Sequence, residues 1–234
     1  MEEYLKNSFQ KNLKERKEYY LYDIPVYILN SLPEHIDIIN ALEEIKDLVP
    51  YELLSGLEGI YVGEFPELKN RKIQAMLKDD AIYLSSFKDH PEVTEETIIN
   101  DIIHELAHIL ENKSYFEIYD DDTIEKEYIG KKKRLVGLLR ANGVSFPGMG
   151  KLFFSENHVD ELDDFLFKQL GYDNLSALTP GLFLSPYSVT SLREYFAEGF
   201  EEWLQGDQYY LKEVCPALYN KLDLIFEGEK DYEY

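Results

Sequence analysis

The run His104-Glu105-Leu106-Ala107-His108 combines residue types and a spacing that can do chemistry. Two histidines four apart stand one above the other on one face of a helix, so both imidazoles can reach a single ion. The glutamate between them sits beside the first ring, within reach of a water on that ion. This is the equipment of metal-assisted hydrolysis, in which a carboxylate takes the proton of a water activated by the metal. The flanking residues suit the task, because Ile98, Ile99, Ile102, Ile103, Leu106 and Ile109 offer enough apolar surface to bury the helix and hold its ligands rigidly.

A catalytic zinc site usually has three protein ligands and an open position for water, so two imidazoles leave one ligand to find. Cys215 is the only cysteine, which leaves His90, His158 and the carboxylates. His90 precedes Pro91, and His158 stands at the start of a later helix; both positions suit capping or surface roles. The stretch from Ser191 to Trp203 is the better source. There Glu194 and Glu198 lie four apart on a helix otherwise apolar through Leu192, Tyr195, Phe196, Phe200 and Trp203. Carboxylates in such surroundings need a partner, since an unpaired buried charge costs several kcal/mol. One of them could bind the metal while the other accepts a hydrogen bond from a ligand imidazole. Spacing alone does not choose between them.

Taken together, the HELAH run and the stretch PYSVTSLREYFAEGF from Pro186 to Phe200 resemble the catalytic domain of anthrax lethal factor and its relatives. Those relatives include the clostridial Pro-Pro endopeptidases and are zinc peptidases of the gluzincin group. In that family a tyrosine stands seven residues before the glutamate ligand and a second glutamate four after it, a pattern this chain matches with Tyr187, Glu194 and Glu198. The resemblance implies a zincin-like fold and one Zn2+ per chain held by His104, His108 and Glu194. It implies Glu105 as the base, a Tyr187 hydroxyl directed at the substrate carbonyl oxygen, and Glu198 supporting the site from behind. The implied activity is that of a zinc-dependent endopeptidase acting on a protein or peptide. The likeness spans roughly residues 60–204, but only the two motifs are specific, and residues 114–186 between them do not align. It extends to compact peptidase-like domains carried by bacteriophages, which would make the protein virion-associated.

Two other readings stand beside this one. A zincin fold can be kept as a zinc-binding structural or partner-recognition domain that cleaves nothing, although such a domain has no use for Glu105 and Tyr187. Alternatively, cleavage could be confined to the chain itself or to one dedicated partner.

Composition narrows the partners. The 234 residues include 46 acidic against 24 basic ones, a net charge of -22, and a surface so negative repels nucleic acid and anionic membranes. A lone cysteine fits a reducing compartment. The charged N-terminus lacks a secretory signal, and no stretch reaches the roughly 20 apolar residues needed to span a bilayer, so a cytoplasmic protein without a toxin's export machinery is expected.

The elements that must position these residues read as an α+β fold. A charged arm (1–20) precedes a single domain (21–228), and an acidic tail (229–234) follows it. Within the domain, an α/β lobe (21–112) carries a small twisted sheet packed on the metal-binding helix, and the second lobe (113–228) is mostly helical. Strands are expected at 25–30, 59–65, 72–77 and 81–85, with Lys78-Asp79-Asp80 turning the last pair. An amphipathic helix over 35–48 presents Ile36, Ile39, Leu42, Ile45 and Leu48. The metal helix opens at a Thr94 cap and runs to about Asn112, and further helices are expected over 123–140, 159–170, 189–205 and 211–226. The strand 81–85 reads as a sheet edge on which an extended peptide could lie. Lys131-Lys132-Lys133-Arg134 reads as a solvated helix face paired with Asp120-Asp121-Asp122, which itself reads as a helix N-terminus rather than a calcium loop. The nineteen tyrosines read as core and surface packing more than as a defined site, although those between Tyr115 and Tyr128 could line a substrate groove.

Overall fold

The computed structural model describes residues 17–71, 73–86 and 93–230. It is α+β, with a mixed five-stranded sheet and about 60% helix. The chain divides into two compact units between Leu110 and Glu111.

In the N-terminal unit β1 (Lys17–Leu21) and β2 (Ile24–Ile28) form an antiparallel pair, and β2 runs parallel to β3 (Gly59–Gly63). β3 is parallel to β5 (Ala81–Ser85), and β5 is antiparallel to β4 (Ala75–Lys78), so the order is β1-β2-β3-β5-β4. Asp79 and Asp80 turn the β4–β5 hairpin with φ of 50° and 56°, the positive pair that a two-residue type I′ turn requires. The strand expected at 72–77 is displaced toward that turn, and Lys72 lies outside the described residues. Alternation gives the sheet two different faces. Val26, Ile60 and Ile82 make one buried row and Ile28, Val62 and Leu84 another. Between these rows, on the other face, Tyr27, Tyr61 and Tyr83 stack across three strands at 5.2 and 5.3 Å.

Two expectations need correction here. The strand 81–85 is not an edge, because β5 is hydrogen-bonded on both sides; β1 and β4 are the outer strands. The last residues of the supposed arm form β1, whose run KEYYL was hidden by its charged neighbours; residues 1–16 lie outside the described residues, as do 231–234 of the tail.

Helix α1 (Ile38–Leu48) is capped by the Asp37 carboxylate, which accepts from the backbone N–H groups of Ile39 and Asn40. It buries Ile38, Ala41, Leu42 and Ile45, while Ile39 is half exposed, so the apolar stripe is rotated from the one read off the sequence. A short helix α2 (Pro66–Arg71) follows β3. Helix α3 (Glu95–Tyr119) starts as expected, with the Thr97 N–H donating to Thr94 Oγ1 at 3.3 Å. It continues past Asn112 through a break in helical geometry at Ser114. Its apolar residues from Ile98 to Leu110 are all buried.

The C-terminal unit consists of α4 (Thr123–Ala141), a 3-10 turn (Leu152–Phe154), α5 (Asp160–Asp164) leading into a π-helical turn (Phe165–Leu170), α6 (Tyr172–Leu178), a second 3-10 turn (Tyr187–Val189), α7 (Leu192–Gln205), α8 (Gln208–Val214) and α9 (Pro216–Lys230). The single helix expected over 211–226 is broken because Pro216 has no N–H to continue it and instead takes the first position of α9. The Glu127 carboxylate accepts from the N–H groups of Ala217 and Leu218 at that new N-terminus and from the Tyr195 hydroxyl. Gly199 on α7 lets Leu218 of α9 come closer than any β-carbon would allow.

The basic cluster is the largest departure. Lys131 and Lys132 are 6% and 0% exposed, so only Lys133 and Arg134 of the cluster lie on an exposed face. The acidic run pairs elsewhere: Lys221 Nζ lies 3.1 Å from carboxylate oxygens of both Asp120 and Asp121. Asp121 also accepts from the Thr123 N–H, so the run does open a helix. Tyr119 and Tyr128 are buried, which removes them from any open groove.

Candidate metal centre

Helix α3 puts the His104 and His108 rings 4.9 Å apart, one turn from each other and nearly perpendicular. His108 and Glu105 are 6% and 7% exposed, and His104 is half-buried. Ile103, Leu106, Ala107 and Ile109, the apolar residues next to them in the helix, are buried as well.

Glu194 comes from the first turn of α7. Ser191 caps this helix, its Oγ accepting from the Glu194 N–H at 3.1 Å. The helix N-terminus favours a negative charge at this position. The rest of the helix is held by buried Leu192, Tyr195, Phe196 and Phe200.

Among the described residues, one nitrogen from each of His104 and His108 and one Glu194 oxygen lie within 4.8 Å of one another. Two imidazoles and a carboxylate are a donor set suited to a divalent transition metal, and this group could hold such an ion. Glu194 is the member, of the two glutamates that spacing left open, whose oxygen belongs to it. Glu198 stands one turn further along α7 and is half-buried.

Tyr187 opens the 3-10 turn before α7 and is 38% exposed. Its N–H donates to Ser185 Oγ at 3.1 Å, and its carbonyl accepts from the Thr190 hydroxyl at 2.8 Å. Burial raises the Tyr172 phenol pKa, and Asp163, whose carboxylate accepts from its hydroxyl at 3.2 Å, adds to the rise. Ser185 and Pro186, immediately before Tyr187, line a pocket of about 170 Å³ with Thr179, Phe183 and Tyr210.

Of the two other histidines considered as ligands, one is among the described residues, and it is not in the group. His158 is half-exposed and lies 3.3 Å from Asp160 at the start of α5, whose N-cap is Val159. His90 lies outside the described residues.

Sequence reasoning missed Glu111, which follows His108 by three residues and is 6% exposed. Its carboxylate accepts from the Tyr119 hydroxyl at 2.7 Å, and the Arg193 Nε stands 3.4 Å away, next in sequence to Glu194. The spacing of three from His108 was the available signal, since it puts Glu111 on the face of α3 that carries the histidines.

Compared with protein-family models, curated proteins and solved structures, the chain matches none. Among the described residues no helix is long and apolar enough to cross a membrane.

Proposed function

We propose that the protein is a zinc-dependent endopeptidase with a zincin-like fold, and that His104, His108 and Glu194 hold the ion. The observation that carries this reading is the grouping of two imidazoles one helical turn apart with a carboxylate from a distant stretch of the chain. Zinc bound there supplies Lewis acidity, lowering the pKa of water and polarising a carbonyl. Glu105, buried beside His104 in the chain, takes the proton of the attacking water and returns it to the leaving amine. Tyr187, exposed enough to meet a ligand, donates its hydroxyl hydrogen to the carbonyl oxygen as negative charge develops. Glu198 supports this arrangement from the turn behind Glu194. The substrate is an extended protein or peptide segment.

The experiment is metal analysis of the purified chain joined to a peptide-library digest, run with Glu105→Gln and His104→Ala. Glu105→Gln keeps one zinc per chain and loses cleavage by about two to four orders of magnitude; His104→Ala loses the zinc as well. Undiminished turnover in Glu105→Gln removes the base, and a wild-type protein that binds zinc but cleaves nothing moves the reading to a structural metal site.

A further inference from the structure

The basic cluster on α4 has no part in the site so far described, yet two of its lysines are buried and each is spent on main-chain carbonyls. Lys131 Nζ donates to Leu182 O and to Val214 O, both at 2.6 Å. Lys132 Nζ donates to Ser155 O at 2.9 Å and to the Tyr128 hydroxyl at 2.8 Å, and that hydroxyl donates in turn to Val189 O at 2.9 Å. Leu182 precedes Tyr187 by five residues and Val189 follows it by two. The two ends of the segment that carries Tyr187 are therefore tied to one helix, at Leu182 by Lys131 and at Val189 by the Tyr128 hydroxyl, which Lys132 holds in turn.

An arrangement of this kind is costly. Taking an ammonium group out of water carries a penalty of several kcal/mol, and an apolar side chain of similar length would fill the space without it. Burial lowers the Lys132 pKa to about 7 against the opposing pull of Glu156, a direct mark of that penalty. What the lysines supply that a methionine would not is directional: donors that fix where two carbonyls stand. Close to these anchors, Ser185 and Thr190 hold the turn locally through the Tyr187 N–H and carbonyl. The local bonds set the shape of the turn, and Lys131 with the Lys132–Tyr128 pair sets its place.

We propose that Lys131 and Lys132, the latter acting through Tyr128, are positioning residues that hold the Leu182–Val189 segment so that the Tyr187 hydroxyl meets its target. The role assigned to the hydroxyl rests on the peptidase reading; the anchoring of the segment does not.

The test uses the full chain and four variants: Lys131→Met, Lys132→Met, Tyr128→Phe and Tyr187→Phe. Tyr128→Phe removes one oxygen and keeps the ring, so it remains informative if a lysine variant folds poorly. Hydrogen exchange is read first. Lys132→Met and Tyr128→Phe are expected to speed exchange at the Ser188, Val189 and Thr190 amides by tenfold or more, and Lys131→Met to do so at Leu182, with the amides of the central turns of α7 unchanged. Unchanged exchange at these positions, or a uniform rise throughout the C-terminal unit, overturns the anchoring. Kinetics on a cleaved peptide is read second. Lys132→Met and Tyr128→Phe are expected to lower kcat about tenfold with KM within twofold, and to cause no further loss in a Tyr187→Phe background. An equal loss with and without the Tyr187 hydroxyl overturns positioning, because residues that act through one group are not additive with its removal. Should the wild-type chain cleave nothing, the peptidase reading fails on that result, and exchange alone decides the anchoring.

Discussion

Replacing Lys132 by methionine removes a buried ammonium whose cost can be read from its titration. The Lys132 pKa falls from 10.5 to about 7, and burial is the dominant cause. At about 1.4 kcal/mol per pH unit, the fall corresponds to about 5 kcal/mol of differential interaction between the two protonation states. Below about pH 7 the side chain is charged in both the folded and unfolded chain, and the full penalty is present. Above about pH 10.5 it is neutral in both, and the penalty is gone. In between, the unfolded chain holds a proton that the folded chain has released, so stability rises with pH. Wild type should gain about 2 kcal/mol relative to Lys132→Met between pH 7 and pH 9, with the curve still climbing at the upper end. The Tyr128 phenol does not interfere, because burial and then the charges of Glu194 and Glu156 raise its pKa well above that window. The assay is urea unfolding of both proteins at pH 7, 8 and 9, where the expected change is a relative midpoint shift of roughly 1 M for a slope of about 2 kcal/mol/M. The hydrogen bonds that the variant loses lower its stability by an amount that does not vary across these pH values, so only the pH dependence of the difference is diagnostic. Parallel behaviour of the two proteins from pH 7 to pH 9 would refute the claim that Lys132 is held in a desolvated site.

Tyr187→Phe should lower kcat by about 10²- to 10³-fold with little change in KM, the signature of a donor used only as charge develops; steady-state kinetics on a cleaved peptide checks this. Gly199→Ala should destabilise the chain by about 1–2 kcal/mol in urea unfolding: the added carbon meets the buried Leu218 side chain, a strain that outweighs the roughly 1 kcal/mol by which alanine favours a helix. A stabilised Gly199→Ala variant would mean that α7 and α9 can move apart without loss.

The features legible in the sequence were those written in a short window. The HELAH spacing, the Thr94 cap, the apolar run of α3 and the Asp79-Asp80 turn all depend on neighbours within about one helical turn or one hairpin, so the residues themselves dictate the outcome. The same locality explains the errors. A helix over 211–226 satisfied the apolar period, and only the missing N–H of Pro216 and the Glu127 carboxylate 90 residues away split it into α8 and α9. The strand 81–85 was recognised but misplaced as an edge, because strand order depends on pairings that no short window contains.

The sequence by itself determined that two imidazoles share a helix face with a glutamate between them, and that the chain folds as α+β with its helices concentrated in the second half. Spacing left Glu194 and Glu198 open and the family resemblance named Glu194, whose oxygen is the one grouped with those imidazoles; only the tertiary structure decided that Lys131 and Lys132 lie inside. Those outcomes depend on carbonyls and carboxylates contributed by residues from 127 to 214. A charged side chain is exposed or buried according to whether distant partners arrive to satisfy it, and nothing in its immediate sequence records their arrival.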